Sequence, residues 1–272
     1  MATPTVDYKC RGVSLNHSNE TFGYFRETTN NLQDGEALRA QMQEDGYLYT
    51  PGLLNTEEVL EVRNNTLEQM RADGLLHPDY ATSEGIGAPG EAIGFMPQYA
   101  RNMEAIQRVL YGGAMMELMK NFFGEAVLHF DYTWFRVMGR GKSTPPHCDI
   151  VYMGRGTKNL FTAWVPYMEI PLEVGGLMIL ENSHRQADKF KKYLEMDVDT
   201  YCVNKPFGKD NDPQGWRVPG AISQNARNLQ KHLGGRWLTT HYHPGDALIF
   251  SMATIHASLE NQTDKVRISS DS

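Results

Sequence analysis

Nine histidines carry the clearest chemical signal in this chain. His147-Cys148-Asp149 sets an imidazole and a carboxylate two residues apart. Along an extended strand such residues project to one face and Cys148 to the other. An imidazole and a carboxylate on one face are two thirds of a facial triad, the arrangement that binds non-haem iron and leaves further metal positions open. The third ligand must be a histidine brought in from elsewhere. The spacing alone is weak, because chance supplies about half of one His-x-Asp in a chain of this composition. His129-Phe130-Asp131 repeats it inside a β-prone run and reads as ordinary strand. His241-Tyr242-His243, just before Pro244-Gly245-Asp246, is the competitor, since His-x-His on a strand is also a possible metal face.

The apolar run Ala247 to Ile255 ends at His256, and Arg267 follows eleven positions later across Asn261-Gln262-Thr263-Asp264. Paired as a hairpin, these segments bring His256 and Arg267 to one face, with Ser269 two residues further on the same side. A guanidinium never deprotonates and grips a carboxylate with two hydrogen bonds, so beside a metal ligand it suits a dicarboxylate co-substrate. Each residue also has a plainer reading: a core histidine, a structural ion pair, a strand serine.

Elements must hold these groups. Asp34 to Asp45 has helical spacing and stops at Gly46, after which Gly46 to Thr50 reads as a strand. Asn55-Thr56-Glu57-Glu58 opens a helix with Val59, Leu60, Val62, Leu67 and Met70 as its apolar stripe. A further helix is expected over Met103 to Phe123. The second half predicts strands at Val127 to Val137, Leu160 to Val165, Gly176 to Leu180, Trp237 to Tyr242, Ala247 to Ile255 and Lys265 to Ser269, a pattern that fits a sandwich or barrel. Leu76 to Arg101 and Gln186 to Gly235 are long irregular stretches, the expected places for a lid and for substrate contacts. Arg101, Lys158, Lys205 and Arg217 could greet an anionic substrate, although each is by default a solvated charge.

Composition bounds the rest. The chain has 272 residues, 26 basic and 33 acidic side chains and a net charge of −7, with no basic stripe, which argues against nucleic acid as a partner. No apolar stretch approaches a membrane span of about 20 residues, and the first residues lack the basic and apolar regions of a secretory leader. Cys10, Cys148 and Cys202 are too few and too scattered for a disulfide framework, so a reducing, cytoplasmic setting is expected.

Taken in order, several pieces resemble the phytanoyl-CoA dioxygenase family of Fe(II)/2-oxoglutarate-dependent oxygenases. They are Asp45-Gly46-Tyr47-Leu48, Pro51-Gly52-Leu53-Leu54, Glu57-Glu58-Val59, His147-x-Asp149, Trp164-Val165-Pro166, Gly175-Gly176-Leu177, Asn182-Ser183-His184-Arg185, Gly245-Asp246, His256 and Arg267-x-Ser269. The resemblance implies a mainly β fold with flanking helices: a double-stranded β-helix, or jelly roll, behind an N-terminal helical buttress. It implies one domain over 1–272, with a helical part at 30–125 and a barrel at 126–272 interrupted by a lid at about 186–235.

It further implies that His147, Asp149 and His256 bind Fe(II), and that Arg267 holds the distal carboxylate of 2-oxoglutarate with Ser269 assisting and Trp164 lining the pocket. His184 is expected to be structural. The implied reaction consumes O2, releases succinate and CO2, and hydroxylates an unactivated C–H bond of a small molecule. Asp149 stands where related halogenases have a small residue, which favours hydroxylation or a kindred oxidation over halogenation. Asn182 replaces the family's usual glycine, a small change that keeps a left-handed turn open. The sequence stops five residues after Arg267 where relatives usually continue, which could take away part of the pocket wall. Two other readings stay open: a jelly-roll metal enzyme of another kind, such as a cupin-type dioxygenase or a zinc hydrolase built on His241 and His243, and a catalytically silent binding protein of the same fold.

Overall fold

The computed structural model describes residues 7–29, 31–91, 93–198 and 220–272. A short hairpin, β1 (Lys9–Cys10) and β2 (Val13–Ser14), precedes β3 (Phe22–Tyr24), α1 (Gly35–Asp45), β4 (Tyr47–Thr50) and α2 (Thr56–Ala72). Next come α3 (Glu104–Tyr111), α4 (Gly113–Phe123), β5 (Trp134–Met138), α5 (Ile150–Met153), β6 (Phe161–Pro166) and β7 (Leu177–Leu180). The chain continues through α6 (Lys191–Leu194), α7 (Ala226–Leu233), β8 (Trp237–Thr239), β9 (Ala247–Ser251), β10 (His256–Ser258) and β11 (Arg267–Asp271).

Two sheets carry the architecture, one of five strands in the order β4-β9-β6-β11-β5 and one of four in the order β10-β7-β8-β3. All pairings in them are antiparallel except β3 with β8. The pleat decides which layer each side chain joins. Ala247 and Ile249 of β9, Ala163 and Val165 of β6, and Phe135 and Val137 of β5 meet Leu38, Val59, Val62, Ile106 and Leu118 of the helices. Their alternates, Leu248, Phe250 and Trp164, face Leu177, Ile179 and Leu238 of the second sheet. The outer face of that sheet is covered by α7 through Ala226, Leu229 and Leu233. Each fully buried Leu, Ile or Phe in these layers contributes about 1.5–3 kcal/mol. The helical buttress and the jelly roll are therefore both present.

Helix ends follow their sequence signals. Asp34 and Asn55 accept backbone N–H bonds as N-caps of α1 and α2, and Gly46 closes α1 in the left-handed region at φ 79°.

Other expectations need correction. The helix predicted over Met103 to Phe123 is two, broken at Gly112, where the backbone is fully extended. The strand predicted from Val127 begins only at Trp134, because Leu128 to Tyr132 run exposed along the surface. The run Ala247 to Ile255 is not one strand. It turns at Met252–Thr254, where the Thr254 N–H bonds Ser251 O, and crosses from one sheet to the other. Ser251 and Thr254 are the only polar residues at the turn, and Met252 and Ile255 are buried like the strand residues before them, so the run reads as continuous. His256 and Arg267 are consequently not hairpin partners: β10 pairs with β7, and β11 with β5 and β6. The segment Gln186 to Gly235 contains α6 and α7, and its lid region, with Cys202, Lys205 and Arg217, lies largely outside the described residues.

Candidate active site

The backbones of His147 and His256 clasp each other, with each N–H donating to the other's carbonyl at 3.0 Å. This isolated two-residue ladder, not strand alternation, positions the first histidine. Asp149 is no strand residue either. It begins the short helix α5 with helical dihedrals, φ −68° and ψ −23°, which turns its carboxylate back toward the clasp. Asp149 Oδ1 lies 3.6 Å from Nε2 of both histidines, and the two rings sit 4.1 Å apart.

Each Nδ1–H donates to a backbone carbonyl two residues before it, Pro145 O at 2.9 Å and Thr254 O at 3.1 Å. Those bonds fix the tautomer and leave both Nε2 lone pairs facing Asp149. The other carboxylate oxygen, Oδ2, accepts from the Thr162 hydroxyl at 2.5 Å. Burial, reinforced by His256, holds the His147 pKa down at about 3, so its imidazole is neutral. Burial opposes ionisation of Asp149, but His256 and His147, with Thr162 and Arg136, more than offset it and keep the carboxyl below its ordinary range. Two nitrogens and one carboxylate oxygen converge on one buried point, a donor set that fits a first-row divalent metal such as iron.

The strand pleat brings the rest of the predicted set inward. Arg267 and Ser269 of β11 and Trp164 of β6 are all buried, and a narrow recess of about 10 Å³ runs between Trp164, His256 and Arg267. The Arg267 guanidinium donates to Gly175 O, while its Nε and the Ser269 hydroxyl have no hydrogen-bond partner among the described residues. Two such atoms side by side call for an explanation, and a polar ligand in the recess would satisfy both. Burial, with Arg136 adding repulsion, lowers the Arg267 pKa to about 10, which leaves it cationic at neutral pH.

The family profile described as phytanoyl-CoA dioxygenase (PhyH) matches residues 42–269. The chain belongs to the phytanoyl-CoA dioxygenase family. It is therefore an enzyme of the iron- and 2-oxoglutarate-dependent oxygenase class. A 1-deoxypentalenic acid 11-beta-hydroxylase of Streptomyces arenae is 28% identical over 260 residues, covering 89% of this chain and 80% of that protein. Its namesake in Streptomyces exfoliatus is 24% identical over 253 residues, with the same coverage. Among solved structures, the epimerase SnoN in complex with Fe3+, alpha ketoglutarate and nogalamycin RO superimposes with a TM-score of 0.55 at 19% identity, covering 87% of this chain and 81% of that one. EctD from S. alaskensis gives 0.55 at 14% identity, over 97% of this chain and 85% of its own. These structural likenesses establish the fold.

Beside the triad of this family member opens a cleft of about 730 Å³. Phe95, Phe130, Tyr132 and Trp134 form its aromatic wall. Three of them are 41–51% exposed, an unusual state for large apolar rings unless something covers them. Arg136 lines both the cleft and the recess, donates to Asp271 at 2.7 Å and lies 5.6 Å from the centre of the Phe95 ring.

Thr162, Arg136 and Asp271 escaped the sequence reading. Their signal is the inward parity shared with Trp164 on β6 and with Arg267 and Ser269 on β11, into which Arg136 falls by cross-strand pairing with Ser269. His129 stacks on Tyr111 at 4.0 Å, away from the triad. A further pair, His77-x-Asp79, also passed over, lies on a turn with 4.0 Å between His77 Nδ1 and Asp79 Oδ2. His184 packs against Gly46 and contacts Gln43 O, a structural role. Arg101 and Lys158 are exposed and line neither the cleft nor the recess. His241 and His243 sit on the surface, outside both cavities, so the alternative of a catalytic centre built on them is set aside.

Proposed function

We propose that the chain hydroxylates an unactivated C–H bond of an apolar small molecule, with His147, Asp149 and His256 as iron ligands and Arg267 and Ser269 as the seat of the distal 2-oxoglutarate carboxylate. The observation that carries this reading is the convergence of two inward-facing Nε2 atoms and Asp149 Oδ1 between an apolar cleft and a recess where Arg267 Nε and the Ser269 hydroxyl have no partner among the described residues. Bound Fe(II) and 2-oxoglutarate supply the oxidising chemistry, taking O2 and releasing succinate and CO2.

The protein's own part is positioning and exclusion of water. Pro145 O and Thr254 O orient the imidazoles, and Thr162 holds Asp149. Arg267 leaves the Gly175 carbonyl to take a carboxylate, and Trp164 walls the recess beside it. The aromatic face of the cleft supports an apolar substrate with ring character, and the curated relatives are named as hydroxylases of a carboxylic acid. Asp149 fills the position a halide would need, which supports oxygen insertion over halogenation. We read the chain as one domain acting in the cytoplasm. Among the described residues no helix is long and apolar enough to cross a membrane.

Anaerobic titration tests the reading. Fe(II) with 2-oxoglutarate should give a weak visible charge-transfer band that disappears in Asp149→Ala and in His256→Ala. A band that survives both changes would remove the triad. Succinate formation above background across a panel of apolar ring compounds then identifies the substrate class, and a chlorinated product would refute hydroxylation.

A further inference from the structure

His241 and His243 play no part in the oxygenase site, yet they are not loosely disposed. The residue between them, Tyr242, forms an isolated antiparallel bridge with Ile170, its N–H and C=O bonding Ile170 at 3.1 and 2.9 Å. Both bridge residues are fully buried, and the Tyr242 hydroxyl is fixed to Leu177 O at 2.8 Å. With Tyr242 and Ile170 pointing inward, the pleat drives His241, His243 and Glu169 outward together. The main chain is pinned a second time where the His243 N–H meets Asp246 Oδ2 at 2.8 Å. The two imidazoles stack at 4.6 Å with 13° between their planes. Glu169 Oε1 lies 2.9 Å from His241 Nε2, and one ligand atom from each of the three lies within 4.8 Å of the others.

We propose that Glu169, His241 and His243 form a second metal site that binds a divalent transition ion, with zinc as the best-matched case. Zn2+ bonds imidazole nitrogen and carboxylate oxygen at about 2.0–2.2 Å, so tetrahedral ligands stand roughly 3.3 Å apart. The present spacing reaches that value by side-chain rotation on a backbone that is already anchored. Solvent completes the shell, because all three residues are exposed. The competing account is a plain surface ion pair between Glu169 and His241.

Zinc counting separates the two. In the full chain supplied with Zn2+ and 2-oxoglutarate, equilibrium dialysis should find two ions, and anomalous diffraction at the zinc edge should place one of them between Glu169, His241 and His243. His241→Ala/His243→Ala should bind one ion, and Asp149→Ala/His256→Ala should keep the surface ion, which makes the outcome independent of the triad assignment. Glu169→Gln, which spares both imidazoles, should weaken the surface site by about tenfold or more, since even loss of an outer partner costs that much. An unchanged melting temperature of the histidine variant without zinc verifies its fold. No ion between Glu169, His241 and His243 in the wild type, or an ion count unchanged by removal of the two histidines, overturns the proposal.

Discussion

Thr162 donates its hydroxyl to the Asp149 oxygen that does not face the histidines, so in the proposed iron site it would act on a ligand's orientation and basicity. Thr162→Val keeps the side-chain shape and removes that bond. Iron affinity should fall by about 10–100-fold, the usual cost of losing such a support, with the fold intact by circular dichroism. An unchanged affinity would mean that Asp149 is held by packing alone. Arg267 carries a different load. Arg267→Leu should weaken 2-oxoglutarate binding by about 2–5 kcal/mol, because a buried carboxylate is left without its cation, while iron binding without co-substrate stays near normal. Calorimetry on both ligands checks the split.

Elements explain why some of this was legible in advance and some was not. That Arg267 and Ser269 share one face follows from the alternation along a strand, whereas Trp164 is named through the family resemblance and not from parity; all three are buried. The inference that joined His256 to Arg267 failed, since the turn between β9 and β10 is marked only by Ser251 and Thr254, which bond each other, and carries no Gly or Pro to announce it. His147 and Asp149 converge although the strand supposed to align them does not exist. A helical turn at Asp149 achieves the same convergence, and one spacing served two geometries. Phe130, Tyr132 and Trp134 of the cleft wall lay unseen in what read as a strand from Val127 to Val137, whereas Phe95 falls in Leu76 to Arg101, a stretch expected to hold substrate contacts.

At the join of α1 and β4, Gly46 has φ 79° and its Cα faces the His184 ring, where an added Cβ would sit 2.3 Å from Nδ1. Burial lowers the pKa of His184. The native state therefore binds fewer protons than the unfolded chain below about pH 6.5, and stability must fall as pH drops from there toward the native pKa. In His184→Gln the decline of melting temperature between pH 7 and pH 5 should be shallower than in the wild type. His147 shares the sign, so the difference between the two proteins is the readout, and identical slopes would show that His184 titrates normally.

Across the whole molecule, one arrangement recurs: helices press on the outer face of the five-stranded sheet, α7 covers the other sheet, and the chemistry sits between the two, where both contribute. The four-stranded sheet brings His256, and the five-stranded sheet brings Thr162, Trp164, Arg267 and Ser269. Substrate preference belongs to this scale as well, because the aromatic wall joins Phe95, the approach to β5 at Phe130 and Tyr132, and Trp134 of β5 itself. Phe130→Ala and Tyr132→Ala, both on the exposed rim, should raise KM for an apolar substrate and increase succinate formed without product, with the iron and 2-oxoglutarate band retained. Loss of the band in either variant would assign these rings to cofactor binding instead.

The reciprocal main-chain bonds between His147 and His256 have a consequence for the history of the ion in the protein. In a zinc finger the metal is the architect, and the chain collapses without it. Here two distant stretches of chain are already laced together by their own amides, so the ion arrives as a tenant in a finished room. Stripping it with a chelator should leave the far-ultraviolet spectrum unchanged and lower the melting temperature only by the mass-action share that binding adds. The amide protons of these two histidines should stay as slow to exchange in the metal-free protein as in the loaded one.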